Sequence, residues 1–450
     1  VSGRVFLKRV GILMAIVFVD MLGFLIVLPL LPFYAEDLGA SESLVGVLIS
    51  AFAFAQLVTS PFWGKLSDRY GRRPMILLGL VMSALSYALF GLAETVLVLL
   101  VSRLVQGAGA GTTGVVQAYV SDAVPPSGRT QALGWVTVAT SAGVMIGPAV
   151  GSLATGLGRS APGFVAAGLC LLNFVFAWFL LPESASSDEE TGDEPAGEVS
   201  RETRRDAEAV PEAVTEDAAD TTAPPAIEPR TLRRAVFQVL FHPRSSLATL
   251  IWIYALGMMA FMALNGVVAL YLERVFDFTA ASIGWFYVYV GAVSTLMRGV
   301  VLGPVVRRLG EVRTLRLGVV SIALGLAAVP LAFNLVSLAL VVLLVPVGTA
   351  LLFPATTSLV SQASHRDEVG QSLGVQQAFG GVSRMVGPLW ATAAFQYLSI
   401  QAPFWLASGL MLVVLGITLG VSRRDAAEGS RARESSEPPI EAETPAAEGM

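Results

Sequence analysis

The chain of 450 residues holds one cysteine and two histidines. A lone Cys170 excludes a disulfide within the chain, and its place inside an apolar run marks it as packing. His242 and His365 lie far apart in loops, which argues against a histidine-based metal site. Charge is scarce as well. Asp, Glu, Lys and Arg make up 14% of the residues, against about 25% in soluble domains. Many of those charges fall in one polar stretch and in the C-terminal tail. The glycine run from Gly107 to Gly114 lacks a Gly-Lys-Ser/Thr ending, so it is no phosphate-binding loop and ATP drive is not expected. No set of nucleophile and base stands out. The sequence therefore points to no enzyme, no cofactor, no metal and no nucleic acid.

Long apolar runs are what the chain has in abundance: 54% of its residues are apolar. Runs of about 20 residues recur, each long enough to cross roughly 30 Å of hydrocarbon as a helix. Spans are expected at Val10 to Phe33, Leu44 to Trp63, Pro74 to Leu92, Val96 to Val120, Gln131 to Leu157 and Pro162 to Leu181. A second set is expected at Ser246 to Leu272, Ala280 to Val305, Val312 to Phe333, Leu335 to Val360, Gly370 to Tyr397 and Ala402 to Val421. The softest boundaries are the ninth/tenth junction, marked only by Asn334, and the eleventh span, which carries Gln376, Gln377 and Arg384. The run Gly11 to Pro32 is too long for a cleavable signal and has no small-residue cleavage site after it. The expected fold is an all-α membrane protein of twelve helices.

Basic residues divide by loop. Lys65, Arg69, Arg72, Arg73, Arg129, Arg307, Arg308, Arg313, Arg316 and Arg366 fall in even-numbered loops, and Arg4, Lys8, Arg9, Arg423 and Arg424 flank the termini. The odd-numbered loops hold only Arg159 and Arg274, beside Glu36, Asp37, Glu42, Glu94, Glu273 and Asp277. This bias places both termini on the cytoplasmic side.

Ser184 to Arg230 carries fourteen acids against four arginines and cannot bury enough apolar surface to fold. It divides the chain into residues 1–183, an acidic linker 184–230, an amphipathic segment 231–245 suited to a membrane surface, a second block 246–421 and a polar tail 422–450. The blocks resemble each other. Gly147-Pro148 recurs as Gly387-Pro388, 240 positions later, and Leu133-Gly134 recurs as Leu373-Gly374 at the same offset. Gly303 to Gly310 is a decayed copy of Gly64 to Gly71. Such internal repeats are common in secondary transporters, with the substrate between the halves near mid-membrane.

The loop Gly64-Lys65-Leu66-Ser67-Asp68-Arg69-Tyr70-Gly71-Arg72-Arg73 resembles a signature of the major facilitator superfamily, more narrowly its twelve-span drug:proton antiporter branch with the tetracycline exporters. The resemblance covers both blocks but not the linker or tail. It implies two pseudo-symmetric six-helix bundles. It also implies that Gly64, Asp68, Arg69, Gly71, Arg72 and Arg73 gate the transporter, Asp68 meeting the start of the eleventh helix in the outward-facing state. The alternative is a loop that merely sets topology.

Arg103-Leu104-Val105-Gln106-Gly107-Ala108-Gly109 is similar to the family's R-x-x-Q-G-x-G motif, which implies proton coupling through Arg103 and Gln106. An Arg in an apolar run should face the bundle interior or a wet cavity; its alternative is snorkelling from a helix end. Gly143, Gly147, Pro148 and Gly151 match the antiporter motif, with Ser152 in the place of its final glycine. Their four-residue spacing lets a neighbouring helix approach closely. The first span around Asp20 resembles that of tetracycline exporters. Asp20 should be paired, wet or protonated, as proton carrier or cation contact, or else as an ion-pair partner of Arg103, Arg298 or Arg384. Gln117, Asn173, Asn265, Arg298, Gln376, Gln377 and Arg384 are the further candidate substrate contacts. The reading is a monomeric, proton-coupled exporter of a small amphipathic compound in a lipid bilayer. The alternative is a facilitator or importer of an organic anion or lipid-like solute. A non-transporting scaffold would need neither Asp68 nor Gly147-Pro148.

Overall fold

A computed structural model describes residues 3–124, 126–182, 232–241, 245–365 and 368–420. The expected linker 184–230 and tail 422–450 lie outside the described residues. Eleven helical segments are long and apolar enough to cross a membrane. Val369–Tyr397 makes the twelfth: it is a 29-residue helix with too many polar groups to score as apolar, packed between the second and seventh spans.

The first six spans are Val10–Asp37, Glu42–Tyr70, Arg72–Gly91, Val96–Val120, Gln131–Leu157 and Ala161–Leu180. The last six are Ser246–Phe276, Ile283–Leu309, Glu311–Leu331, Leu335–Ala363, Val369–Tyr397 and Ala402–Gly420. The first span packs on the fifth and sixth, the third on the fourth and sixth, the seventh on the tenth, eleventh and twelfth. Between the blocks, a helix over Leu232–Phe241 rests on the seventh and eleventh spans. Trp252 Nε1 donates to the Val239 carbonyl at 3.2 Å, while Phe237, Leu240 and Phe241 stay exposed. That apolar outer face suits a surface-lying helix.

Sharp turns hold the helix pairs in register. Gly71 joins the second and third spans at φ +93°, and Gly310 joins the eighth and ninth at φ +76°. Both values favour glycine, because a Cβ clashes there. These are corresponding positions of the decayed loop repeat.

The Gly-Pro repeat shows why the halves share a packing plan. Gly147 seats against the first span, where an added Cβ would lie 2.7 Å from the Leu22 carbonyl oxygen. Gly387 seats likewise against the seventh span, with a Cβ 2.9 Å from the Met259 oxygen. The next residue in each copy faces the other bundle. The Pro148 carbonyl lies 2.1 Å from a Cβ built on Gly284 of the eighth span, and the Pro388 carbonyl 2.9 Å from one on Gly46 of the second. One glycine closes its own bundle, and the following proline carbonyl meets a glycine of the opposite bundle.

Candidate transport site

Two cavities flank the first span. One, of about 670 Å³, lies within the N-terminal bundle between the first, third, fourth and fifth spans, and Asp20, Gln117, Thr112, Thr137 and Thr140 line it. The other, of about 280 Å³, lies between the bundles. Leu25, Leu28 and Val144 close one side of it, and Asn265, Tyr287, Arg298 and Thr349 lie on the C-terminal side. Asp20 is ten residues into its span, about 15 Å along a helix. Its carboxylate makes no hydrogen bond or ion pair among the described residues. None of the expected pairings of Asp20 with Arg103, Arg298 or Arg384 is formed.

Arg103 does not snorkel. It is 1% exposed, donates to Gln106 Oε1 and stacks 5.2 Å from the Phe52 ring centre. Its Nε and the Gln106 Nε2 are buried and make no hydrogen bond among the described residues. The span that holds it breaks at Ala110–Gly111, into helices Val96–Gly109 and Thr112–Ala123. The second span repairs the break, since Trp63 Nε1 and Thr59 Oγ1 donate to the Ala108 carbonyl at 2.6 and 3.2 Å. Freed backbone groups inside a membrane need such partners.

Two of the candidate contacts are held by hydrogen bonds inside their own bundles. Asn173 is 3% exposed and donates to the Ile16 carbonyl at 2.9 Å, bracing the first span on the sixth. Gln376 is fully buried, with Nε2 donating to Thr357 at 3.2 Å. Neither lines either of the two cavities described above, and each polar head is turned into its own bundle. Gln377 is exposed and Arg384 half-buried; neither lines either cavity described above.

The bundles are tied together in the half remote from the termini. Ser43 N donates to Gln396 Oε1 at 3.0 Å, and Ser50 Oγ to the Met385 carbonyl at 2.6 Å. Ser152 Oγ bridges, donating to the Ala280 carbonyl and accepting from Gly284 N, both at 2.8 Å. Arg274 of the seventh span pairs with Glu36 at 3.3 Å and with Glu42, and lies 5.0 Å from the Phe395 ring centre. These residues counted only as loop charges in the sequence. Their opposite signs across the first and seventh loops were the available signal.

On the face carrying the termini, the loop between the second and third spans pairs within its own bundle. Asp68 does not meet the eleventh helix. It pairs with Arg72 at 2.5 Å within its own bundle, and its side chain is 66% exposed. Arg72 also reaches Asp122 at 3.1 Å and Ser67 at 2.6 Å, while Arg73 donates to the Trp178 carbonyl. Arg69 is exposed over Tyr70. In the C-terminal bundle, Glu311 accepts from Ser358 and Gln362 at 2.6 and 2.7 Å, a separate closure of that half. The expected contact of Asp68 with the start of the eleventh helix is not formed in this structure. A Cβ on Gly64 would meet nothing within 4 Å. Gly64→Leu is therefore expected to leave unfolding in detergent unchanged and to lower flux several-fold, by obstructing closure of this face. A lowered unfolding temperature would instead assign Gly64 to packing.

Two six-span bundles, tied together at one end and holding largely apolar cavities that carry a few polar groups, are the architecture of a multi-pass membrane transporter. The pattern of the Major Facilitator Superfamily matches residues 13–388 and also 337–448, and the chain belongs to that superfamily. It is a secondary transporter of small molecules. It is 29% identical over 409 residues to Multidrug resistance protein 2 of Bacillus subtilis, covering 91% of this chain and 94% of the relative. It is 27% identical to the class G tetracycline resistance protein of Vibrio anguillarum, covering 85% and 89%. The fold matches the crystal structure of the human organic anion transporter TETRAN with a TM-score of 0.62, at 22% identity, over 91% of this chain and 99% of that one.

Proposed function

We propose that the protein is a proton-coupled exporter of small amphipathic compounds, working as a monomer in a bacterial inner membrane with both termini in the cytoplasm. The observation that carries this reading is the Asp20 carboxylate, deep in the first span on the wall of a 670 Å³ cavity and unpaired among the described residues. A charged group so placed is costly in a membrane and marks a functional site. Binding of a proton or of a cationic compound would relieve the same charge, so the two compete, and competition at one site couples them. The loop arginines support the orientation, and the relatives named for multidrug and tetracycline resistance support export. Arg103 and Gln106 would act from behind Asp20, and the Asp68 loop would close the cytoplasmic face in the alternate state.

The test is proton movement in proteoliposomes carrying a pH dye, with tetraphenylphosphonium as probe. The wild type is expected to change lumenal pH when the probe is added, and Asp20→Asn to lose the response at least tenfold while folding normally. A facilitator of organic anions, the second reading, gains from Arg298 on the cross-bundle cavity. Equal probe equilibration in both proteins with no pH change would favour it and reject proton coupling.

A further inference from the structure

The cross-bundle cavity carries a positive charge that the protein does not neutralise. Arg298 lies 15 residues into the eighth span, about 22 Å along the helix axis and near mid-span. Asp and Glu are absent from the residues lining the cavity. Arg298 is exposed and has no hydrogen bond or ion pair among the described residues. A central Arg costs on the order of 2.5–3.5 kcal/mol on insertion scales. The buried Arg103 is relieved locally by Gln106 and Phe52, and Arg274 at the end of the seventh span by Glu36 and Glu42. Arg298 is not.

The backbone at this point is also altered. The eighth span is α-helical over Ile283–Leu296 and again over Leu302–Leu309, and the five residues Met297–Val301 between them form a π-helical turn that contains Arg298. Such single turns are rare and concentrate at functional sites. Pro304, four residues after Val300, supplies no N–H to the Val300 carbonyl, so the turn has a local cause as well as a place in the cavity wall.

We propose that Arg298 is the anchor of an anion subsite, and that the protein accepts amphipathic compounds bearing a carboxylate. A guanidinium takes a carboxylate through two parallel N–H···O bonds. The Tyr287 and Ser294 hydroxyls, on the same span and cavity, make no hydrogen bond among the described residues and are free to add donors. Phe261, Leu264, Val268 and Phe286 offer the apolar wall for the body of the compound. At about 280 Å³ the cavity suits a body of one or two rings. Leu25 and Val144 of the opposite bundle complete the wall, so the subsite is whole only while the bundles are closed together on this side.

The inference rests on the transporter reading but not on its proton coupling. The experiment uses the full-length purified protein and two probes of equal shape, radiolabelled 1-naphthylacetate and its neutral amide, with equilibrium binding measured for wild type, Arg298→Gln and Arg298→Lys. Wild type is expected to prefer the carboxylate at least tenfold. Arg298→Gln should lose that preference and keep its affinity for the amide. Arg298→Lys should keep part of it, as a point charge without the planar fork. Retained amide binding reports that the variants fold. Equal binding of both probes by wild type, binding of neither, or an undiminished carboxylate preference in Arg298→Gln would each overturn the proposal. Loss of tetraphenylphosphonium-driven proton movement with the naphthylacetate result intact would reject proton coupling and leave the subsite standing.

Discussion

Arg274→Gln will open the face that is closed in this structure. Arg274 holds Glu36 and Glu42 across the bundle boundary and packs on Phe395. Its side chain is 37% exposed, so each pair is screened and contributes about 1 kcal/mol or less. Two pairs made by one side chain still sum to an expected 1–2 kcal/mol. In a two-state equilibrium that is a shift of roughly 5- to 30-fold. Both ion pairs span the bundles, while the Phe395 contact lies inside the C-terminal one, so loss of the pairs acts on the closed-to-open balance. Ser43 reports the change: its backbone N–H bonds Gln396 across the boundary, and its own Oγ is buried without a partner, so Ser43→Cys removes no hydrogen bond. The background thiol, Cys170, is buried. In the Ser43→Cys protein, adding Arg274→Gln should raise labelling by a membrane-impermeant maleimide 5- to 30-fold, and 1 M salt should raise labelling in the parent. Unchanged labelling would mean that the hydrogen bonds of Ser50 and Ser152 hold the face without help from Arg274.

The fate of single residues explains how far the sequence could be read. Twelve spans and two halves were legible because each span has its own apolar run and the hydrophobic signal is local. The eleventh was the hard case, and Gln376 and Arg384 in its middle are the reason. The Gly-Pro repeat was legible as a repeat, and a close helix contact at Gly147 followed from spacing. Which helix it would touch did not follow, since spacing shows a small face but not its partner. The site was only partly legible. A charge in an apolar run stands out by its cost, so Asp20, Arg103 and Arg298 could be picked from sequence. Uncharged amides cost less and carry no direction, and Asn173 and Gln376 turned into their bundles. Gly46 and Gly284 were invisible, because a lone glycine in a span has no pattern around it. The contact expected of Asp68 was tied to an outward-facing state, and a sequence does not say which state a structure shows.

Substitution of the cross-bundle glycines is expected to separate gating from folding. In Gly284→Val, the Cβ would meet the Pro148 carbonyl oxygen at 2.1 Å and Ser152 Oγ at 2.5 Å. In Gly46→Val it would meet Thr392 Oγ1 at 2.0 Å and the Pro388 carbonyl oxygen at 2.9 Å. Backbone carbonyls cannot swing aside, so the helices must part, at a cost of about 1–3 kcal/mol or more for the added bulk. Both contacts join one bundle to the other on the closed face, and the transporter can escape the clash by adopting its alternate state. Gly147→Val has no such escape. Its clash with Leu22 and Leu25 lies between the first and fifth spans inside one bundle, and both states need that seam. Gly107→Val is equally confined, with a Cβ 2.2 Å from the Phe52 carbonyl oxygen of the second span. The bundle-internal pair should therefore lower the unfolding temperature sharply and cut the yield of folded protein. The cross-bundle pair should unfold near the wild-type temperature yet label at Ser43→Cys at least tenfold faster and transport slowly. Gly134→Ala and Gly374→Ala, whose Cβ atoms would meet nothing within 4 Å, serve as controls and should be neutral or stabilising by about 0.5–1 kcal/mol. If Gly284→Val and Gly147→Val fail to fold alike, the eighth–fifth contact is part of the folding core and not a gate.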